Sequence, residues 1–146
     1  MENTSQIEKP KVERKRHIAK TITWRIVGSI DTFILATFFS GSFETGGWIA
    51  ITEVITKTIL YYFHERVWYS YNWKKSNRNR KRHLSKTISW RVIGTLDTLL
   101  LSWLFTGSPL TGIKIITGEL ITKMLLYYLH ERVWYASNWG VIKSES

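Results

Sequence analysis

Residues 53–68 read EVITKTILYYFHERVW, and residues 119–134 read ELITKMLLYYLHERVW. A second shared stretch precedes each: KTITWRIVGSIDT at 20–32 and KTISWRVIGTLDT at 86–98. Every matched pair stands 66 residues apart, so residues 16–73 align with 82–139 without a gap, and 32 of these 58 positions are identical. Both copies end in Asn-Trp, at Asn72-Trp73 and Asn138-Trp139. The chain is one unit used twice. A solenoid is excluded, because stacked repeats need about three or more units to bury a continuous core.

Each unit divides at a short run of small and polar residues. In the first copy it is Gly41-Ser42-Phe43-Glu44-Thr45-Gly46-Gly47, and in the second Gly107-Ser108-Pro109-Leu110-Thr111-Gly112. Glycine at both ends of such a run suits a helix C-cap and a tight helix–helix connection. On either side lie apolar stretches at 21–40, 47–68, 87–106 and 113–134. A helix of about 20 residues measures roughly 30 Å, the thickness of a bilayer core. The pattern predicts an all-α fold, an integral membrane four-helix bundle of two tandem helical hairpins. It divides the chain into a basic cytoplasmic arm at 1–19, a first hairpin at 20–73, a basic linker at 74–85, a second hairpin at 86–139 and a tail at 140–146.

Composition agrees with that reading. The 146 residues include no cysteine, which excludes disulfides, thiolate nucleophiles and cysteine-based zinc sites. With two prolines and long apolar runs, the chain is no disordered basic tail. The formal charge is +10, and the mean hydropathy of −0.15 hides a strong clustering of that charge. Thirteen of the 21 Lys and Arg lie at 9–20 or 74–86, and the two hinges hold none. The positive-inside rule then places both termini and the linker in the cytoplasm, with the hinges outside. Each hairpin starts and ends on one side, so the copies are parallel and related by a pseudo-twofold axis along the membrane normal, unlike an inverted-repeat transporter. No apolar segment with a small-residue cleavage site precedes the arm, so a cleaved signal peptide is not expected.

All eight Trp fall near segment ends, and all seven Tyr crowd the ends of the second and fourth helices away from the hinges. An interfacial aromatic belt sorts residues in this way. A basic nucleic-acid-binding bundle is the competing reading, but no recognition motif is present and the aromatics do not interleave with the basic clusters. No nucleic acid is expected as a partner. Arg14, Lys15, Arg16, Arg80, Lys81 and Arg82 are expected to meet the anionic headgroups of the cytoplasmic leaflet.

The apolar stretches also carry charge in regular rows. Arg25, Gly28 and Asp31 share a helix face, as do Glu53, Lys57, Tyr61, His64 and Trp68. The second copy repeats both rows as Arg91, Gly94, Asp97 and Glu119, Lys123, Tyr127, His130, Trp134. Facing lipid would be costly, so these rows are expected to look inward. In an antiparallel hairpin Asp31 and Lys57 both lie roughly 16 Å from the inner end. That depth predicts Asp31–Lys57 and Asp97–Lys123 pairs, with Arg25–Glu65 and Arg91–Glu131 nearer the surface. Gly28 and Gly94 read as close-packing positions. The mid-depth acids exceed the lysines by one per hairpin.

Two readings of this charged core stand. In one, the charges cancel and set helix register without a transported species, as buried ion pairs can. In the other, they line a path or site for a proton, cation or small polar solute. His64-Glu65 and His130-Glu131 are not H-E-x-x-H motifs, because Trp stands four after each His. No metal or cofactor is expected, and with no G-x-S-x-G, P-loop or G-x-G-x-x-G nothing reads as catalysis.

The repeated pattern K-T-x-[ST]-W-R-x-x-G-x-x-D-T, then T-G, then E-x-x-T-K-x-x-L-Y-Y-x-H-E-R-x-W resembles the DUF2061 family of bacterial membrane proteins. It covers Lys20–Thr32 with Glu53–Trp68, and Lys86–Thr98 with Glu119–Trp134. The resemblance implies a prokaryotic membrane protein and carries no activity with it; with the four spans and the charge bias, the expected location is the bacterial inner membrane, multi-pass. The expectation is therefore a small membrane protein with a charged core, as a channel, transporter or transporter subunit. A non-transporting scaffold or interaction module is the alternative. Four helices packed about 8–10 Å apart leave little room for a pore, so the transport reading also expects a homo-oligomer.

Overall fold

The computed structural model describes residues 12–70 and 79–141, the side chains of residues 79 and 80 excepted. Four helices follow one another: α1 (Arg14–Ser40), α2 (Phe43–Ser70), α3 (Asn79–Thr106) and α4 (Pro109–Ala136). Each helix packs against two neighbours, giving a ring in the order α1, α2, α3, α4 with α4 closing on α1. The two hairpins are α1–α2 and α3–α4.

The hinges are tighter than the glycine-bounded runs suggest, because only two residues in each lie outside the helices. Gly41 and Gly107 adopt φ of 72° and 69°, the left-handed region that a side chain disfavours. Their amides close the preceding helix by donating to the carbonyls of Thr37 at 2.9 Å and Trp103 at 2.8 Å. The following serine starts the next helix: Ser42 Oγ accepts from the Thr45 amide at 3.2 Å, and Ser108 Oγ from that of Thr111 at 3.3 Å. Pro109 occupies the first turn of α4, where its missing N–H costs nothing. Gly-Ser thus supplies a C-cap and an N-cap in consecutive residues.

The helices also extend beyond the apolar stretches at the opposite end. α1 begins at Arg14 and α3 at Asn79, so residues 14–19 of the arm and 79–85 of the linker are helical. The rest of the linker, the first eleven residues and the tail from 142 lie outside the described residues, as does the side chain of Arg80.

Within each hairpin the helices meet closest near the hinge, at glycines. A Cβ on Gly46 would stand 2.8 Å from the Thr37 backbone nitrogen, and one on Gly112 would stand 2.9 Å from Leu99 Cδ1. Gly28 and Gly94, expected to be the close-packing positions, are not. A Cβ on Gly28 would meet nothing within 4 Å, and one on Gly94 would meet only Lys57 Cε at 3.7 Å.

The segments just before α1 and just after α4 meet across the α1–α4 seam. Val12 bridges Val141, and the Glu13 amide donates to the Gly140 carbonyl at 3.0 Å. The Arg16 guanidinium donates to the carbonyls of Ser137 (2.8 Å), Trp139 (2.5 Å) and Trp134, and stacks over the Trp134 ring. Carbonyls left open at a helix end attract such a cation. Arg16, expected at lipid headgroups, is thus occupied by the end of α4, while Arg14 and Lys15 remain exposed.

Candidate functional site

The bundle is inverted relative to a water-soluble one. Among the described residues, the buried side chains are more often polar than apolar: Asp31, Thr32, Glu53, His64, Asp97, Thr98, Ser102 and Glu119, against Ala36, Ile49, Ala50, Leu101 and Ile115. The outward faces are apolar. On α1 the exposed row is Ile18, Ile22, Ile26, Ile30 and Ile34; on α3 it is Leu84, Ile88, Val92, Leu96, Leu100 and Leu104. Their four-residue spacing makes a continuous stripe along each helix.

The polar interior is built across the repeats. Every inter-helix side-chain hydrogen bond among the described residues joins one repeat to the other. Thr122 Oγ1 on α4 donates to Asp31 Oδ2 on α1 at 2.9 Å, and Thr56 Oγ1 on α2 to Asp97 Oδ2 on α3 at 2.9 Å. Lys57 pairs with Glu53 on its own helix and reaches Thr98 Oγ1 at 3.0 Å. Lys123 pairs with Glu119 at 2.9 Å and reaches Thr32 Oγ1 at 3.3 Å. The threonines complete the network by donating to the glutamates, Thr98 to Glu53 at 3.1 Å and Thr32 to Glu119 at 2.5 Å. A longer contact of 4.0 Å joins Lys123 to Glu53 across the ring.

The same twofold pattern continues toward the chain ends. His64 Nε2 shares a hydrogen bond with Ser89 at 2.8 Å, and His130 Nε2 with Thr23 at 2.8 Å. Trp68 and Trp134 donate their indole N–H to the same two hydroxyls, at 3.2 and 3.1 Å. Each imidazole also lies 5.5 Å from a tryptophan of the other repeat, His64 from Trp90 and His130 from Trp24. Lys86 pairs with Glu65 at 2.5 Å, and Lys20 with Glu131 at 2.6 Å.

These contacts correct the expected pairs. Asp31 is held by Thr122 of α4, not by Lys57; Asp97 is held by Thr56 of α2, not by Lys123. Glu65 and Glu131 take Lys86 and Lys20, not Arg25 and Arg91. The depth argument placed partners at the right level but on the wrong helix. α4 repeats the register of α2 and runs antiparallel to α1 just as α2 does, so depth alone cannot tell them apart. The face decides: α1 turns Asp31 and Thr32 toward α4.

Between the four helices lies a cavity of about 720 Å³. Its charged lining comprises Arg25, Glu53, Lys57, Arg91, Glu119 and Lys123, and Gly28 and Gly94 leave room in its walls. Toward the hinges the buried cluster of Ala36, Ile49 and Ile115, backed by Phe39, closes it. Arg25 and Arg91 are exposed and make no hydrogen bond or ion pair with any described residue. Asp31 does not face this cavity. With Thr122 it lies instead in an apolar groove between α1 and α4 on the outside of the bundle, among Ile30, Ile34 and Leu125. Glu53 Oε2 and the Nδ1 atoms of His64 and His130 are buried without a hydrogen-bond partner. No three His, Asp or Glu side chains among the described residues are placed to share a metal ion.

A helical bundle with polar contacts inside and apolar stripes outside has the distribution of a protein surrounded by lipid. The spans Arg14–Ser40 and Lys81–Thr106 are each long and apolar enough to cross a membrane. The family model described as "Predicted membrane protein (DUF2061)" matches twice, over residues 18–69 and 84–135, and the chain belongs to this family in two tandem copies. No curated protein and no solved structure matches the chain.

Proposed function

We propose that all four helices span the bacterial inner membrane, with both termini and the linker in the cytoplasm and the Gly-Ser hinges outside. In this reading the central cavity is a binding chamber for a small polar solute, as in a transporter or transporter subunit. The observation that carries it is a charge-lined cavity inside a bundle whose outer surface is apolar. Its walls carry six charged side chains where a dry four-helix core has no need of charge, and intramembrane charge is costly without a use. The closed hinge end argues against a continuously open channel and suits a chamber with access from one side. A non-transporting scaffold is the second reading. It is favoured by the mutual pairing of Glu53 with Lys57 and of Glu119 with Lys123, which neutralises most of the chamber without any solute.

Cysteine labelling tests both orientation and access, because the chain has no native cysteine. Ser42→Cys and Ser108→Cys should react with an impermeant reagent on intact cells, and Ser76→Cys only after lysis. Thr95→Cys, in the cavity wall, should react with a small aqueous thiol reagent supplied from the cytoplasmic side. Reaction of Ser76→Cys alone in intact cells reverses the orientation. An inert Thr95→Cys leaves the scaffold reading.

The basic helix ends are proposed to hold anionic headgroups, at about 1 kcal/mol per residue near such a surface. In native mass spectrometry from mild detergent, Lys81→Gln/Arg82→Gln should carry fewer anionic lipids than the parent. Unchanged lipid retention confines these residues to setting topology. The same spectra give the number of copies: transport calls for a homo-oligomer, and a strict monomer supports the scaffold.

A further inference from the structure

We propose that the cavity is a site for a phosphate-bearing ligand, held between the guanidiniums of Arg25 and Arg91. The inference rests on the reading of the cavity as an accessible chamber and adds the class of ligand. Both arginines line the cavity, one from each repeat. Neither has a hydrogen-bond or ion-pair partner among the described residues, and the carboxylates that could serve are already taken. Glu65 and Glu131 hold Lys86 and Lys20, and Glu53 and Glu119 hold Lys57 and Lys123. The cavity lining therefore carries four cations against two carboxylates. A guanidinium next to lipid is costly unless it meets an anion, and its planar fork matches phosphate in a bidentate manner.

The surroundings fit that chemistry. Two like charges facing one space from pseudo-equivalent positions call for a ligand that can accept from both, as a tetrahedral oxyanion does. Gly28 leaves open space where any side chain would intrude. The cavity rim also includes the exposed apolar side chains Val54, Leu120 and Met124. Such a rim can take an acyl chain while the phosphate enters the cavity. A phospholipid of the surrounding leaflet and a soluble phosphate monoester share the headgroup chemistry, and the experiment separates them.

The test uses the full chain in mild detergent and native mass spectrometry. The probes are phosphatidic acid, diacylglycerol, which lacks only the phosphate, and glycerol 3-phosphate. The parent should retain phosphatidic acid over diacylglycerol. Arg25→Gln/Arg91→Gln should weaken that retention roughly tenfold or more, while Lys81→Gln/Arg82→Gln should keep it. Gly28→Leu fills the cavity with both arginines in place and should also lose it, which covers the case in which the double variant folds poorly. Displacement by glycerol 3-phosphate assigns a soluble source, and retention against it assigns the lipid. Equal retention of phosphatidic acid by the parent, Arg25→Gln/Arg91→Gln and Gly28→Leu overturns the site, as does binding of neither phosphate probe. If Thr95→Cys labels while no phosphate probe binds, the chamber stands and the ligand class falls. If Thr95→Cys is inert, the chamber itself fails.

Discussion

Gly46→Ala should lower the stability of the protein by about 3 kcal/mol, the upper range for overpacking, whereas Gly28→Ala should not lower it at all. At Gly46 the added methyl would stand 2.8 Å from the Thr37 amide nitrogen and 2.9 Å from its Cα. These are backbone atoms of α1, so relief requires the two helices to part at the place where the hairpin closes. Gly112→Ala should cost less, about 1–2 kcal/mol, because its nearest neighbour is the flexible end of Leu99. At Gly28 the methyl enters the open cavity, and the exchange removes the conformational freedom that glycine brings to a helix, worth up to about 1 kcal/mol. Thermal unfolding in one detergent, followed by circular dichroism, orders the three variants. Equal melting of Gly46→Ala and Gly28→Ala would show that the hairpin does not close on Gly46.

Lys57→Met should cost about 3 kcal/mol, the low end for breaking a buried pair, since it leaves the buried Glu53 with only the longer 4.0 Å ion contact to Lys123. Glu53 is 5% exposed, and its other oxygen has no partner to fall back on. Adding Glu53→Gln should restore most of the loss, because the remaining amide can still accept from Thr98. Adding Asp31→Asn to Lys57→Met should restore nothing. Asp31 is held on the far side of α1 by Thr122 and shares no contact with Lys57. Unfolding midpoints of the single and double variants decide between the partners. Rescue by Asp31→Asn, and not by Glu53→Gln, would return the pair to the hairpin.

The two variants mark where the sequence could and could not be read. The repeat, the four helices and the two connections are local matters. Gly41-Ser42 and Gly107-Ser108 announce a helix end and a helix start in the same two residues, and the apolar spacing needs no knowledge of neighbours. Which helix a charged face meets is not local. Lys57 and Lys123 occupy equivalent positions in near-identical stretches, so any argument from depth serves both. Only the closing of the ring assigns Asp31 to α4. The contact glycines were hidden differently. Gly46 and Gly112 stand 66 apart in matched positions, a signal equal to that of Gly28 and Gly94. Their place beside the hinge made them look like turn residues. The signal that could have found them is a small residue one turn into α2 and α4, opposite the last turns of α1 and α3, where the short hinge forces the backbones together. The free state of Arg25 and Arg91 was also out of reach, because it depends on Lys20 and Lys86 crossing the seam first.

The meeting of Val12 with Val141, clasped by Arg16, has a consequence for the freedom of the two halves to differ. Two separate hairpins pairing about an axis would make both seams from one sequence, and any substitution would appear in both at once. Fusion in a single chain removes that constraint. One seam is spanned by covalent backbone, and the other is fastened by main-chain bonding of residues 12–13 with 140–141, so each can change alone. The halves have used this latitude near the hinges: Ser102 stands at the position matching Ala36, Trp103 at that of Thr37, and Lys114 at that of Trp48. The charged middle has stayed the same in both. Where the halves diverge, the two faces of the closed end need no longer be equivalent, and an asymmetric ligand or neighbour can tell one from the other.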